Sequence, residues 1–189
     1  MTKKELRKIF GEKRNQLTET QILKFDDLLL IQFQKLFLPD IQYVFTYIPF
    51  ALRHEPDTSL TIKYLQYLFP HIKIANPRTD FATGEMEAVL IQDHTVFELN
   101  KYGLAEPEKG LIIEPEKIDL IIVPLLTFDL SGFRVGYGKG FYDRFLIRCK
   151  KEVMTVGLSY FEPIEKIEDT NTFDVSLKYC ITPERVYEF

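Results

Sequence analysis

Between positions 134 and 143 the chain reads Arg-Val-Gly-Tyr-Gly-Lys-Gly-Phe-Tyr-Asp, so that Gly136, Gly138 and Gly140 alternate between two cations, Arg134 and Lys139, and a carboxylate, Asp143. Glycine lets backbone approach a ligand closely. A helical pattern follows, with Phe141, Phe145 and Cys149 on one side, and would point the positive end of its dipole at the same place. A phosphate suits such a site. Asp143 would repel it unless a divalent cation lay between them, and Mg²⁺ commonly takes one or two carboxylates together with phosphate oxygens. The combination therefore points to a metal nucleotide, although the spacing alone is equally compatible with a mobile turn in which Asp143 serves only the helix dipole.

Neither common nucleotide motif applies. A Walker A loop ending at Gly138-Lys139 needs glycine at 133 and Ser or Thr at 140, where the chain has Phe133 and Gly140. The dinucleotide fingerprint needs G-x-G-x-x-G directly after a strand, whereas here the spacing is G-x-G-x-G and lies further from Val123. Within the approach to the loop, Asp129-Leu130-Ser131-Gly132 has the preferences of a type I turn, which gives Asp129 a structural reading.

The elements that must position these residues follow from periodicity and punctuation. Thr2 and Glu5 form a capping box that starts an N-terminal helix with Leu6, Ile9 and Phe10 as its apolar stripe; Lys3 and Arg7 lie one turn apart on it, an arrangement that reads from the residues alone as a solvated face. Thr18 and Gln21 start a second, deeply packed helix that Pro39 stops. Ile41 to Tyr47 reads as a buried strand, followed by a loop from Pro49 to Pro56 with Phe50, Arg53, His54 and Glu55, and by a helix capped at Asp57. Glu55 by itself reads as a solvated charge near that helix's N-terminus. A strand over His71 to Ala75 closes at Asn76-Pro77, and another spans Met86 to Gln92. Asn100 to Pro115 reads as a long loop. Asp119 to Pro124 is a continuous apolar run, as expected of a central strand buried on both faces, and Glu152 to Leu158 and Val175 to Thr182 complete the strands. Helices alternating with β-branched strands indicate an α/β/α sandwich of three layers with a largely parallel, Rossmann-like sheet in one domain over 1–189.

Composition narrows the function classes. A net charge of −4 gives no global basic field for a nucleic acid, and the 46% apolar content argues against disorder. The two cysteines, Cys149 and Cys180, lack metal-ligand spacing and suit a reducing compartment. No apolar stretch follows Met1-Thr2-Lys3-Lys4 as a signal peptide requires, and no run spans a bilayer. A cytoplasmic monomer acting on small molecules, with neither nucleic-acid nor membrane partners, is expected.

Arg134-x-Gly136-x-Gly138-x-Gly140-x-Tyr142-Asp143 resembles the signature of the 5-formyltetrahydrofolate cyclo-ligase family. Lys3-x-x-Leu6-Arg7, Glu55-x-Asp57-Thr58 and Tyr102-Gly103-Leu104-x-Glu106-Pro107 resemble its other motifs, in order and over nearly the whole chain. The resemblance implies an enzyme that makes 5,10-methenyltetrahydrofolate from 5-formyltetrahydrofolate with ATP and Mg²⁺. It implies that Lys3, Arg7, Arg134, Gly136, Gly138, Lys139, Gly140, Phe141 and Tyr142 hold ATP, with Lys139 and Arg134 neutralising phosphate charge. Phe50 and Glu55 would then lie on the folate side, and Asp143 and Asp174 would support the metal. Three positions depart from the pattern: Phe141 replaces the usual Tyr, Tyr137 fills a slot often basic, and the spacing of Asp169 and Asp174 leaves open which approaches the metal. A relative acting on another formylated or carboxylated metabolite, or a non-catalytic binder of folate or nucleotide, would share much of this pattern.

Overall fold

The computed structural model describes all 189 residues. In chain order the elements are α1 (Lys3–Asn15), α2 (Glu19–Phe33), β1 (Tyr43–Phe45), a single 3-10 turn (Ala51–Arg53), α3 (Ser59–Leu68), β2 (Lys73–Asp80), β3 (Glu85–Leu90), β4 (Phe97–Leu99), β5 (Ala105–Pro107), β6 (Ile112–Ile113), a second 3-10 turn (Pro115–Lys117), β7 (Leu120–Val123), β8 (Thr127–Phe128), β9 (Arg134–Val135), α4 (Phe141–Leu146), β10 (Met154–Leu158), β11 (Tyr179–Ile181) and β12 (Val186–Glu188). Eight strands form the main sheet in the order β12-β11-β10-β7-β1-β2-β3-β6. Its interior, β11 through β2, is parallel. The flanking pairs β11·β12, β2·β3 and β3·β6 are antiparallel.

The pleat explains the layers. Successive strand residues face opposite sides, so Val44, Leu120 and Ile122 pack with Leu29 and Phe33 of α2 and Leu65 of α3. Phe45, Ile121 and Val123 face the other way, against Phe145 and Leu146 of α4. All four residues of β7 are fully buried, consistent with a central strand covered on both faces. Each such side chain contributes about 1.5–3 kcal/mol by leaving water. A third cluster, Leu6, Phe10, Leu126, Val135 and Ile167, seats α1 over the end of the sheet rather than on either face.

Both predicted capping boxes form: Thr2 with Glu5 and Thr18 with Gln21. Four expectations change. α2 ends at Phe33, well before Pro39, and it packs on one side only, leaving Leu23 and Ile31 68% and 50% exposed. The strand expected to close at Asn76-Pro77 runs on to Asp80. β1 pairs only with Lys73 to Ala75, so beyond its end the missing N–H of Pro77 leaves no ladder bond unmade, and Asn76 continues the edge by donating from its side chain to the Thr46 carbonyl. The supposed loop from Asn100 to Pro115 contains β5 and β6, strands too short to show an alternating pattern. Asp57 does not serve as the N-cap residue of α3; Thr58 holds that position, and Asp57 accepts from the Ser59 N–H at 2.8 Å. No helix is long and apolar enough to cross a membrane.

Candidate active site

The chain leaves β1 for α3 and β2 on one side, then returns across β1 to β7 and continues to β10 on the other. Ligands of open α/β sheets sit outside the carboxyl ends of the strands at such a reversal. A cavity of about 400 Å³ lies there, lined by Tyr47 and Ile48 after β1, Pro124 after β7, and Pro77 and Thr79 of β2. The residues that the resemblance assigns to ATP, folate and the metal line this same cavity: Lys3, Arg7, Phe50, Glu55, Arg134, Gly136, Gly138, Lys139, Gly140, Phe141, Tyr142, Asp143 and Asp174; Asp169, the other acid considered for the metal, does not.

One wall is the glycine loop. Gly138 and Gly140 adopt left-handed backbone, with φ of 85° and 67°, a conformation costly for any other residue. Arg7 crosses the loop: its Nε donates to the Gly136 carbonyl at 2.8 Å, and a Cβ on Gly138 would stand 3.1 Å from its guanidinium carbon. Lys3 reaches Asp174, donating to Oδ1 at 2.6 Å, while its backbone N–H donates to Asp169 Oδ1 at 2.6 Å. Two like charges one turn apart on α1 are thus separately satisfied. Both are half-buried and line the cavity, so they do not form a solvated face. The Asp169 carboxylate accepts at the N-terminus of α1, where the dipole favours it, and Asp174 is the acid that lines the cavity.

Arg134 is 5% exposed and its guanidinium donates to Asp143 Oδ1 at 2.8 Å. The Val175 N–H donates to the same oxygen at 3.1 Å. Lys139, by contrast, is exposed and makes no ion pair; its ammonium lies 5.7 Å from the centre of the Tyr102 ring. Of the cations on this loop it is the one free to meet a ligand. Tyr142, in the first turn of α4, buries a hydroxyl without any partner, and burial together with Glu55 keeps that phenol protonated by raising its pKa well above the ordinary value.

The opposite wall carries Phe50 and Glu55. The Phe50 N–H donates to Glu55 Oε2 at 2.8 Å, Tyr137 donates its hydroxyl to Glu55 Oε1, and His54 sits at φ 47°, a left-handed strain that turns the loop into the cavity. Glu106 of β5 is a second carboxylate there, buried where Glu55 is half-buried, accepting from the Thr79 N–H at 3.3 Å and from its hydroxyl. Aromatic rings close the mouth: Phe81 stands 4.5 Å from Tyr102 and 5.1 Å from Phe141 between ring centres.

Magnesium can be tested against these donors. No three His, Cys, Asp or Glu side chains converge. Both oxygens of Asp174 are engaged by Lys3, whereas Asp143 uses only Oδ1 and keeps Oδ2 open. One free carboxylate oxygen fits a cation that takes its remaining ligands from phosphate and water. It does not fit a site built from protein alone.

Sequence reasoning passed over Arg53 and Thr79, which line the cavity, and Arg14, which does not line it but donates to the hydroxyl of Tyr137, which does. Arg14 offered a signal: it falls four residues after Phe10 on the Leu6–Phe10 stripe, a charge on the buried face, and it is 3% exposed. Thr79 lay beyond the Pro77 at which the strand was expected to stop.

The model of the 5-formyltetrahydrofolate cyclo-ligase family matches residues 1–183. A 5-formyltetrahydrofolate cyclo-ligase of Mycoplasma genitalium is 36% identical over 69 residues, which are 36% of this chain and 42% of that protein. One of Mus musculus is 31% identical over 126 residues, 60% of this chain and 61% of that protein. The chain therefore aligns with less than two thirds of the length of these curated relatives. A solved 5,10-methenyltetrahydrofolate synthetase of Aquifex aeolicus superposes with a TM-score of 0.79 at 28% identity, over 100% of this chain and 93% of that one. A second, from Mycoplasma pneumoniae, shares the fold with a TM-score of 0.74 at 23% identity, over 96% and 98% of the two chains. With a family match running from the capped first helix through the glycine loop to β11, the chain belongs to the 5-formyltetrahydrofolate cyclo-ligase family.

Proposed function

We propose that the protein converts 5-formyltetrahydrofolate to 5,10-methenyltetrahydrofolate at the expense of ATP, releasing ADP and phosphate. The observation that carries this reading is that one cavity is lined by two chemically different walls, a glycine-and-cation wall and a carboxylate-and-aromatic wall. Two substrates must meet there. A binder of nucleotide alone has no use for the Glu55 side.

The chemistry requires such a meeting. An amide-like formyl oxygen is a poor leaving group, so it must first attack the γ-phosphorus and displace ADP. The N10 lone pair then adds to the formyl carbon, the C–O bond breaks, phosphate departs with that oxygen, and the N10 proton is released. Positioning and charge neutralisation dominate phosphoryl transfer, and no protein nucleophile is needed. In this reading Lys139 neutralises charge on the transferred phosphate. Arg7 and the backbone of Gly136 to Gly140 cradle the nucleotide, and Lys3 joins them. Arg134 acts at one remove, holding Asp143 in place. Magnesium, when bound, supplies further neutralisation of phosphate charge, with Asp143 Oδ2 as its protein oxygen. Phe50 stacks on the pterin, and Glu55 accepts from its aminopyrimidinone edge.

The direct test mixes purified protein, Mg-ATP and 5-formyltetrahydrofolate and follows methenyl absorbance together with phosphate release. Equal amounts of both products are expected. Phosphate release with another formylated or carboxylated metabolite, but none with 5-formyltetrahydrofolate, would sink the reading.

A further inference from the structure

Tyr137 lies inside the glycine loop, between Gly136 and Gly138, yet its side chain turns away from the loop's cations toward the opposite wall. Its oxygen has two neighbours. Arg14 Nη2 donates to it, and Glu55 Oε1 lies on its other side. A tyrosine hydroxyl has one proton, and Arg14 can only donate, so that proton has to point at Glu55. The direction of the chain is fixed: Arg14 to Tyr137 to Glu55.

Each member is held independently. Arg14 also donates from Nη1 to the Leu125 carbonyl at 3.2 Å, and its own carbonyl lies 3.2 Å from His54 Nδ1, beside Glu55. The Arg53 guanidinium carbon sits 4.6 Å from the centre of the Tyr137 ring, which limits swing of the ring. With Tyr137 on Oε1 and the Phe50 N–H on Oε2, the carboxylate plane of Glu55 is set before any ligand arrives. Charge-assisted bonds of this kind are about twice as strong as neutral ones, and a cation behind the hydroxyl polarises it further.

We propose that Tyr137 is a positioning residue for the folate half of the cavity: held by Arg14, its hydroxyl orients Glu55 for the pterin, while the same loop meets phosphate only through its backbone and Lys139. The proposal rests on the function given above, and it divides one loop between two substrates. Tyr137 touches neither substrate's reacting atoms, so its removal acts on affinity for one of them.

The experiment measures binding as well as turnover. Calorimetric titration with 5-formyltetrahydrofolate, and separately with a non-hydrolysable ATP analogue plus Mg²⁺, is compared for wild type, Tyr137→Phe, Glu55→Ala and the double variant, with melting temperatures recorded. Tyr137→Phe is expected to weaken folate binding roughly ten-fold, the scale of one hydrogen bond to a charged group, and to raise KM for the folate alike. Affinity for the nucleotide stays within two-fold. In the Glu55→Ala background the same substitution has no further effect on folate binding. Arg14→Met, which keeps the hydroxyl and removes its donor, shifts folate affinity in the same direction by less, and serves if Tyr137→Phe does not fold. Unchanged folate affinity in Tyr137→Phe, a parallel loss of nucleotide affinity, or additive losses in the double variant would overturn the proposal. Wild-type protein that binds no 5-formyltetrahydrofolate overturns the proposed function with it; active wild type with an unaffected Tyr137→Phe overturns this inference alone.

Discussion

Lys139 and Asp143 stand four positions apart in the glycine loop and its helix, yet the structure gives them opposite roles in stability. Lys139 is exposed with no partner, so Lys139→Ala should lower turnover by at least ~100-fold, as loss of one transition-state donor does, with no change in melting temperature. Asp143 answers the charge of Arg134, which is 5% exposed. Asp143→Asn should therefore reduce turnover on a similar scale and also lower the melting temperature by several degrees, because it leaves a nearly buried guanidinium short of a counter-charge. Wild-type turnover in Lys139→Ala would reduce the loop to a turn. Both residues were visible in the sequence as charges beside glycines. That one is free and the other committed was not, because the commitment depends on the fold of the loop, which turns Arg134 back onto Asp143, and on Val175 arriving from a distant part of the chain.

At the scale of elements, the site depends on how the loop after β1 is anchored, and Asp26 of α2 is part of that anchor. Its Oδ1 accepts from the Tyr160 hydroxyl at 2.7 Å and from the Asp57 N–H at 3.1 Å, just past Glu55. Burial pushes its carboxyl from 3.8 up to about 6, against the two hydrogen bonds, which pull it down. A raised carboxylate pKa means that the native state binds the proton more tightly than the unfolded chain. Asp26 therefore contributes stability that is complete below about pH 4 and is lost as the pH rises through about 6. Asp26→Asn keeps an acceptor without the charge, so chemical denaturation should show the variant more stable than wild type at pH 7.5, by on the order of 2 kcal/mol, and indistinguishable at pH 4. Equal stability at both values would show that Asp26 titrates normally. The helices themselves were legible wherever a capping box named the first residue, as at Thr2 and Thr18. Strands β4, β5, β6 and β12, of two or three residues each, were not, because a pattern of period two needs more repeats to be recognised.

For the whole molecule, the parallel interior was readable from the unbroken apolar run of β7, while its antiparallel edges were not, since β6, β11 and β12, which contribute to them, have only two or three residues each. Packing around the central strands is tight. A Cβ on Gly157 of β10 would stand 2.4 Å from Leu125 Cδ2 and 2.7 Å from Leu177 Cδ1, in the core on the α4 side. Gly157→Ala should cost about 1–3 kcal/mol by overpacking. The expected readout is a melting temperature several degrees lower with both KM values unchanged, since Gly157 is not among the residues lining the cavity. An unchanged melting point would mean that the core yields at that position.

The closure of α1 over the sheet ties one wall of the cavity to long-range order. Lys3 finds Asp169 and Asp174 across 166 and 171 residues of sequence. The turn that carries Lys3 is capped locally by Thr2 and Glu5, so it can form by itself, whereas the position of Lys3 beside the glycine loop is set by carboxylates far along the chain. A local opening that frees the segment around Asp169 and Asp174 therefore releases Lys3 from the cavity without melting the helix that bears it.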